Sequence, residues 1–588
     1  MVHCNCCLPT TFAHCSGYIG LVLAIIGALL AVLSSRIINM GLSASLTITP
    51  GTLFYDEFIE PTPPIYLSVW IWDIQNADNY TFEMGRGPLA KGEFTFPKPV
   101  VKQVGPFVYR EKWLKDGVKY QDERGNEVFV DPEDEDSFDK SDLFTVQARQ
   151  TYSYESVYDP SLPWTGLDPN AHKVNIASIL SIGLPNIVDY ILHEKNVDGP
   201  TARIVKNLIN SLMDDAEALP IIKDITAQEA LFNYEDPMLK IINELCQQNE
   251  ICEGTPLANL PTEFGILVLK DTPLGWHFSE TDTGVNDINE YGQVRRFKLD
   301  EGDEYEPKLS WWPEDSKCEL LKGTDGSNVS PYLKKDESIW LFSADIFRSI
   351  YLNYTGLGES PTKGMTTHEY TADMFVFAAP YDNKDNECYC YGNYFWDEKD
   401  TGIDCFGISG GIVVDAPNFG IPLVISLPHF LGGEPFMNFI DERSEMNPSV
   451  EEFSTVLEFE PLTGSVMKSD KRIQQSLAVI QSDDYHILEN IPTTSYQNMD
   501  AKMVVMPLVW VNESVVINEE LEAEVYTDAV VGTTLLMVAW IVLLAVGIIL
   551  MTFSWIIVKY RDASCKAFWC CENSVEGEKK GVDNGGHE

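Results

Sequence analysis

The chain has 588 residues, 45% of them hydrophobic, and a formal net charge of −48. That length supports a sizeable core and suggests two to four domains. So large an acidic excess excludes nucleic acid as a partner; it suits a cationic partner, or else solubility in a saline or acidic compartment.

Gly17 to Leu33 carries no charge and almost no polar group. It is long enough for a membrane span of about 20 residues. A cleaved signal peptide is the rival reading, with a weak cleavage pattern at Ser43–Ala44–Ser45, but no Lys or Arg precedes the run. Small residues at Gly20, Ala24, Ala28 and Ala31 suit close helix packing in a bilayer, although Gly and Ala are also simply common there. A second uncharged run, Ala529 to Val558, spans with tilt. Lys559, Arg561 and Lys566 follow it and Asp528 precedes it, so the C-terminus is expected in the cytosol. If both runs span, the N-terminus lies there too. The expected organisation is a tail at 1–16, a span at 17–40, an ectodomain at 41–528, a span at 529–558 and a tail at 559–588. Acidic and basic residues balance in the tails and flanks, so the net charge falls on the ectodomain.

The 13 cysteines divide the same way. Cys4, Cys6, Cys7 and Cys15 precede the first run, and Cys565, Cys570 and Cys571 follow the second. The juxtamembrane ones, Cys4, Cys6, Cys7, Cys565, Cys570 and Cys571, are candidates for palmitoylation. Cys246, Cys252, Cys318, Cys388, Cys390 and Cys405 lie between, an even number that suits disulfides in an oxidising compartment. Zinc on Cys388, Cys390 and Cys405 is the alternative. No cofactor fingerprint is present.

Residues 52–160 read mostly as strand, with Ile65 to Ile74 apolar on both faces and so a buried strand. Asp131 to Asp139 reads as a surface loop without the spacing of a calcium-binding EF-hand. Residues 170–250 turn helical. From Arg203 to Ala216, Ile204, Leu208 and Leu212 repeat every four residues beside Val205, Ile209 and Met213, one broad apolar face that belongs either to core or to a surface for lipid or protein. Thr226 with Glu229 forms a capping box. Asp236 before Pro237 reads as another helix start. Strand character returns over 260–515, at Phe264 to Leu269, Leu423 to Leu427, Thr455 to Phe459 and Met503 to Val511. The best fold class is α+β, one large domain of strands with a helical insertion.

Gly407–Ile408–Ser409–Gly410–Gly411 fits the pattern of a hydrolase elbow, which needs a helix after the serine. A strand-like run, Ile412 to Val414, follows instead, so a glycine-rich turn is the better reading and an ecto-hydrolase using Ser409 the minor one. Asn79, Asn328, Asn353 and Asn512 begin glycosylation sequons, all between the two apolar runs.

Eight runs in one order carry a resemblance: Trp70 to Asn76, Val101 to Arg110, Glu229 to Pro237, Ser343 to Tyr351, Cys388–Tyr389–Cys390, Ile425 to Phe430, Glu458 to Gly464 and Trp510 to Glu513. Between two terminal membrane helices, they resemble the class B scavenger receptor family over nearly the whole chain. The resemblance implies an antiparallel β-barrel core, a helical bundle at the membrane-distal apex (about 170–250) and an internal hydrophobic tunnel. It implies a receptor for lipid or lipoprotein that passes lipid to the membrane, or an endolysosomal protein that binds a cationic or lysosomal partner through its apical helices. By analogy it pairs Cys318 with Cys388 and Cys390 with Cys405; proximity pairs Cys246 with Cys252. Two departures stand out. Where fatty-acid-binding members carry an apical lysine pair, this chain has Asp214, Asp215 and Glu217 beside the stripe Ile204, Leu208, Leu212. A family cysteine is replaced by Phe347, and its partner near Pro417 is absent too.

Overall fold

The computed structural model describes residues 8–84, 92–131, 137–215, 218–239, 242–243, 263–267, 276–299, 317–390, 408–414, 420–496 and 499–576. They form two compact units: Ser45–Ala523, and Met1–Ala44 with Glu524–Glu588.

The larger unit is built on a 15-stranded sheet whose pairs are all antiparallel. Its main path runs Val294–Leu299, His277–Asp282, Thr145–Ser156, Val101–Gln121, Ile65–Ile74, Met499–Val516, Val466–Ile480, Val456–Phe459, Thr366–Ala372, Arg348–Glu359 and Ile339–Ser343. The first and last of these are edges, and an exposed edge is a liability. Here a two-residue splice spans them. Val294 N donates to Gly323 O (3.0 Å), and Phe342 N donates to Thr324 O (2.8 Å), so the sheet is a nearly closed barrel. Only glycine fits at the splice. Gly323 has φ +89°, and a Cβ there would sit 2.0 Å from Trp340 O.

Ile65–Ile74 lies where the sequence predicts, between Val101–Gln121 and Met499–Val516. Its residues alternate between buried and half-buried, with none exposed, because it has a neighbour on each side and core on one face. The strands expected at Leu423, Thr455 and Met503 form as Leu423–Ser426, Val456–Phe459 and the longer Met499–Val516. Phe264 does not start a strand: within the described residues 263–267 it makes a single bridge to Tyr234. The helical insertion contains a strand pair that the sequence reading missed, Lys173–Ala177 with Ile221–Thr226. This pair brackets two helices, Ile179–Glu194 and Gly199–Asp215. Ser178 caps the first through Ser181 N, and Asp236 accepts from both Ser178 Oγ (2.7 Å) and Met238 N (2.9 Å). The capping box of Thr226 and Glu229 forms, but it opens a five-residue π turn, Glu229–Asn233.

The smaller unit holds two helices long and apolar enough to cross a membrane, with spans Ala13–Ser34 and Glu519–Tyr560, the latter entering this unit at Glu524. Small residues bring them together. A Cβ on Gly20 would lie 2.8 Å from Gly547 O, one on Gly27 2.7 Å from Leu544 N, and one on Gly547 2.5 Å from Ala24 N. Ser554 Oγ donates to Ala13 O across the pair. The contact face is therefore Gly17, Gly20, Ala24 and Gly27, repeating by threes and fours; Ala28 is exposed and takes no part in it.

Candidate functional site: the barrel interior and the helix pair

Strand alternation sends every second side chain inward. Leu67, Phe297, Leu341, Ile350, Ile473 and Val511 thus line a cavity of about 120 Å³ inside the barrel. Its wall is not wholly apolar. Lys471 and Glu513 are register partners on neighbouring strands, and Lys471 Nζ lies 3.0 Å from Glu513 Oε1. Asp325, also on the wall, accepts from Lys115 Nζ at 2.8 Å. Burial pushes the Asp325 carboxyl up, but the Lys115 ammonium prevails and holds it well below the usual carboxylate range. Burial pulls Lys471 down, and the Glu513 carboxylate outweighs it, so the net shift is upward. Asp325 and Lys471 are therefore each held in the charged form at neutral pH. A second cavity, of about 40 Å³, lies among Phe54, Pro61, Pro63, Val515 and Leu521 and shares Trp113, Lys471 and Glu513 with the first.

The helix Gly199–Asp215 carries its two apolar stripes on different faces. Ile209 and Met213 are buried, whereas Ile204 is 68% and Leu208 50% exposed, with Leu212 half-buried. A polar clasp fixes the inner side: Lys206 bridges Asp189 (3.0 Å) and Asp484 (2.6 Å), and Asn210 donates to Asp484 O and accepts from His486 N. Asp214 belongs to this clasp, with its Oδ2 3.1 Å from His486 Nδ1. It is 8% exposed, so it does not present a surface charge to an approaching anion as the sequence reading expects. The Asp215 side chain and Glu217 lie outside the described residues.

Cys318 and Cys388 form a disulfide with Cα atoms 5.9 Å apart. Cys15 is exposed. Cys4, Cys6, Cys7, Cys246, Cys252 and Cys405 lie outside the described residues, as do the side chains of Cys390, Cys565, Cys570 and Cys571. Phe347, where the family has a cysteine, is buried in the core near Phe297. Of the four sequon asparagines only Asn79 is exposed. Nδ2 of Asn353 donates to Asp373 and that of Asn512 to Asp470. Asn328 is 9% exposed and accepts from Val466 N, which leaves a glycan little room. Ser409 sits in a glycine turn ahead of the strand Gly411–Val413; it donates to Asp382 and accepts from Ala379 N, the structural role expected of a turn.

Four of the quoted runs meet in one buried network. Gln103 Oε1 accepts from Trp510 Nε1 (2.8 Å) and lies 2.8 Å from His429 Nε2. Gln474 Oε1 accepts from Trp72 Nε1 (3.2 Å) and His429 N (3.0 Å), while Trp70 stacks on Trp510 at 3.7 Å. These residues hold strands together. The polar groups of the cavity wall, Asp325, Lys471 and Glu513, with Lys115 beside Asp325, were missed in sequence because strand register and chain closure, not a local pattern, bring them together.

A nearly closed antiparallel barrel enclosing a cavity, in a chain with an apolar helix of spanning length towards each end, defines a membrane protein with a large β-barrel domain. The sequence matches the CD36 family over residues 18–558, and the chain belongs to that family. It is 25% identical to scavenger receptor class B member 1 of Sus scrofa over 566 residues, 96% of this chain and 93% of that protein. It is 22% identical to lysosome membrane protein 2 of Homo sapiens over 569 residues, 94% of this chain and 96% of that one.

Proposed function

We propose that this protein is a scavenger-type receptor that takes lipid from a lipid or lipoprotein ligand and passes it through the barrel to the membrane. The barrel cavity, with its wall of Leu67, Phe297, Ile350 and Ile473, is the observation that carries the reading, and the family supports it. Burial of an acyl chain contributes about 0.8 kcal/mol per methylene group, and an enclosed path saves that chain from crossing water. In this reading both tails are cytosolic, the first helix is retained, and the site of action is the plasma or an endolysosomal membrane; one relative is named as a receptor and the other as a lysosome membrane protein. Tags at the two termini then stain only after permeabilisation; staining of either on intact cells overturns the topology.

The purified full chain should yield lipid on extraction and mass spectrometry, above an unrelated two-span protein prepared alongside. Absence of lipid overturns the transfer reading. The second reading, capture of a partner protein, rests on the exposed pair Ile204 and Leu208, and would then lead.

A further inference from the structure

The junction between the two barrel cavities is polar, and its chemistry selects among lipids. Trp113, Lys471 and Glu513 line both cavities. Ser469, two residues before Lys471 and on the same inward face, lines the smaller one. Two uncharged polar groups here are buried without a hydrogen-bond partner, Trp113 Nε1 and Ser469 Oγ, beside Glu513 Oε1, which faces Lys471; Ser469 is 2% exposed. Buried polar groups without partners are uncommon and cost stability. A hydrocarbon chain lying here would leave them unmet and would face a charged pair.

We propose that this junction is a seat for the hydroxyl of an uncharged lipid alcohol, whose apolar body fills the larger cavity. This rests on the lipid-transfer reading above. A hydroxyl is one donor and two acceptor sites. Its proton can go to the Glu513 carboxylate, while its oxygen accepts from Lys471 or from the indole of Trp113. A hydrocarbon can do neither, and an ester oxygen only accepts. A carboxylate head fits poorly. The cations here are already engaged: Lys471 with Glu513 at 3.0 Å, Lys115 with Asp325 at 2.8 Å and Arg472 with Asp470 at 3.4 Å. An incoming anion would have to displace one of these carboxylates, in a place that screens charge weakly.

The test uses the detergent-purified full chain with radiolabelled hexadecanol, palmitate and hexadecane, three probes of equal chain length. The wild type should bind hexadecanol about tenfold more tightly than either competitor, the worth of one or two hydrogen bonds. Glu513→Gln releases Lys471 and should raise palmitate affinity about tenfold. Because breaking a buried pair can unfold a domain, the double variant Lys471→Met with Glu513→Leu supplies an apolar replacement that keeps the fold. It should lose the preference for alcohol over hydrocarbon while binding hexadecane as before. A wild type that prefers palmitate or hexadecane, or a double variant that still prefers the alcohol, overturns the seat and leaves lipid transfer standing. A wild type that binds none of the three overturns both.

Discussion

His429 shows how a single side chain couples the core to pH. Its Nδ1 accepts from Asn447 N at 3.1 Å, and its Nε2 lies 2.8 Å from the carbonyl oxygen of Gln103. That pair of contacts requires the neutral ring with the proton on Nε2. The residue is 6% exposed, and burial pushes its pKa down from 6.5 to about 4. A folded-state pKa below the unfolded value stabilises the fold above the unfolded pKa, and that contribution is lost as pH falls towards the folded pKa. Between pH 6.5 and 4 the protein should lose on the order of 2–3 kcal/mol from this residue. Thermal unfolding of the full chain across that range checks it. His429→Gln should be less stable at neutral pH and should flatten this part of the pH dependence; an unchanged slope would refute the assignment.

At the scale of elements, two helices make opposite demands. In the smaller unit, glycines let backbones touch, so Gly27→Leu and Gly547→Leu drive a side chain into backbone less than 3 Å away. Each should destabilise the full chain by about 1–3 kcal/mol, seen as a lower melting temperature, while Ala28→Leu on the exposed face should change little. Equal effects from all three would mean that the helices do not meet as described. In the larger unit, the helix Gly199–Asp215 is held by its clasp, not by its outer stripe. Asp214→Lys should cost roughly 1–3 kcal/mol by removing the partner of His486. It should not create an anion-binding surface. Ile204→Asp with Leu208→Asp, on exposed positions, should leave stability within about 0.5 kcal/mol and act only on what docks there. Stronger anion binding by Asp214→Lys at unchanged stability would restore the surface-charge view.

For the whole molecule, the disulfide and the barrel closure tie distant parts of the chain into one fold. Cys318 and Cys388 are 70 residues apart in sequence, and closing a loop of that size should contribute about 4 kcal/mol through the unfolded state. Cys318→Ala with Cys388→Ala should lower the unfolding midpoint accordingly, and non-reducing peptide mapping should recover the linked pair in the wild type. Free thiols at both positions would remove the argument. The acidic excess works at this scale too. With a net charge of −48, self-repulsion opposes compaction, and the half-buried Asp325 and the buried Glu513 are each paired with a lysine.

What the sequence determined was whatever depends on near neighbours. Uncharged runs of spanning length, the capping residues Thr226 and Asp236, and the strand Ile65–Ile74 were legible because propensity, capping and hydrophobic patterning act over a few residues. The family was legible because eight runs in order amount to a long pattern. The tertiary structure decided the rest. Lys471 faces inward to Glu513 only because the register sets residue 471 against 513, a pairing no local pattern encodes. Asp214 turned from a surface charge into a clasp because a loop from residues 482–489 packs on its helix. Ile204 and Ile209 share a helix and a hydropathy yet differ in burial, since which stripe is covered depends on what lies beside the helix. The cavity and its polar junction have the same origin: they exist only where strands far apart in sequence close around a shared interior.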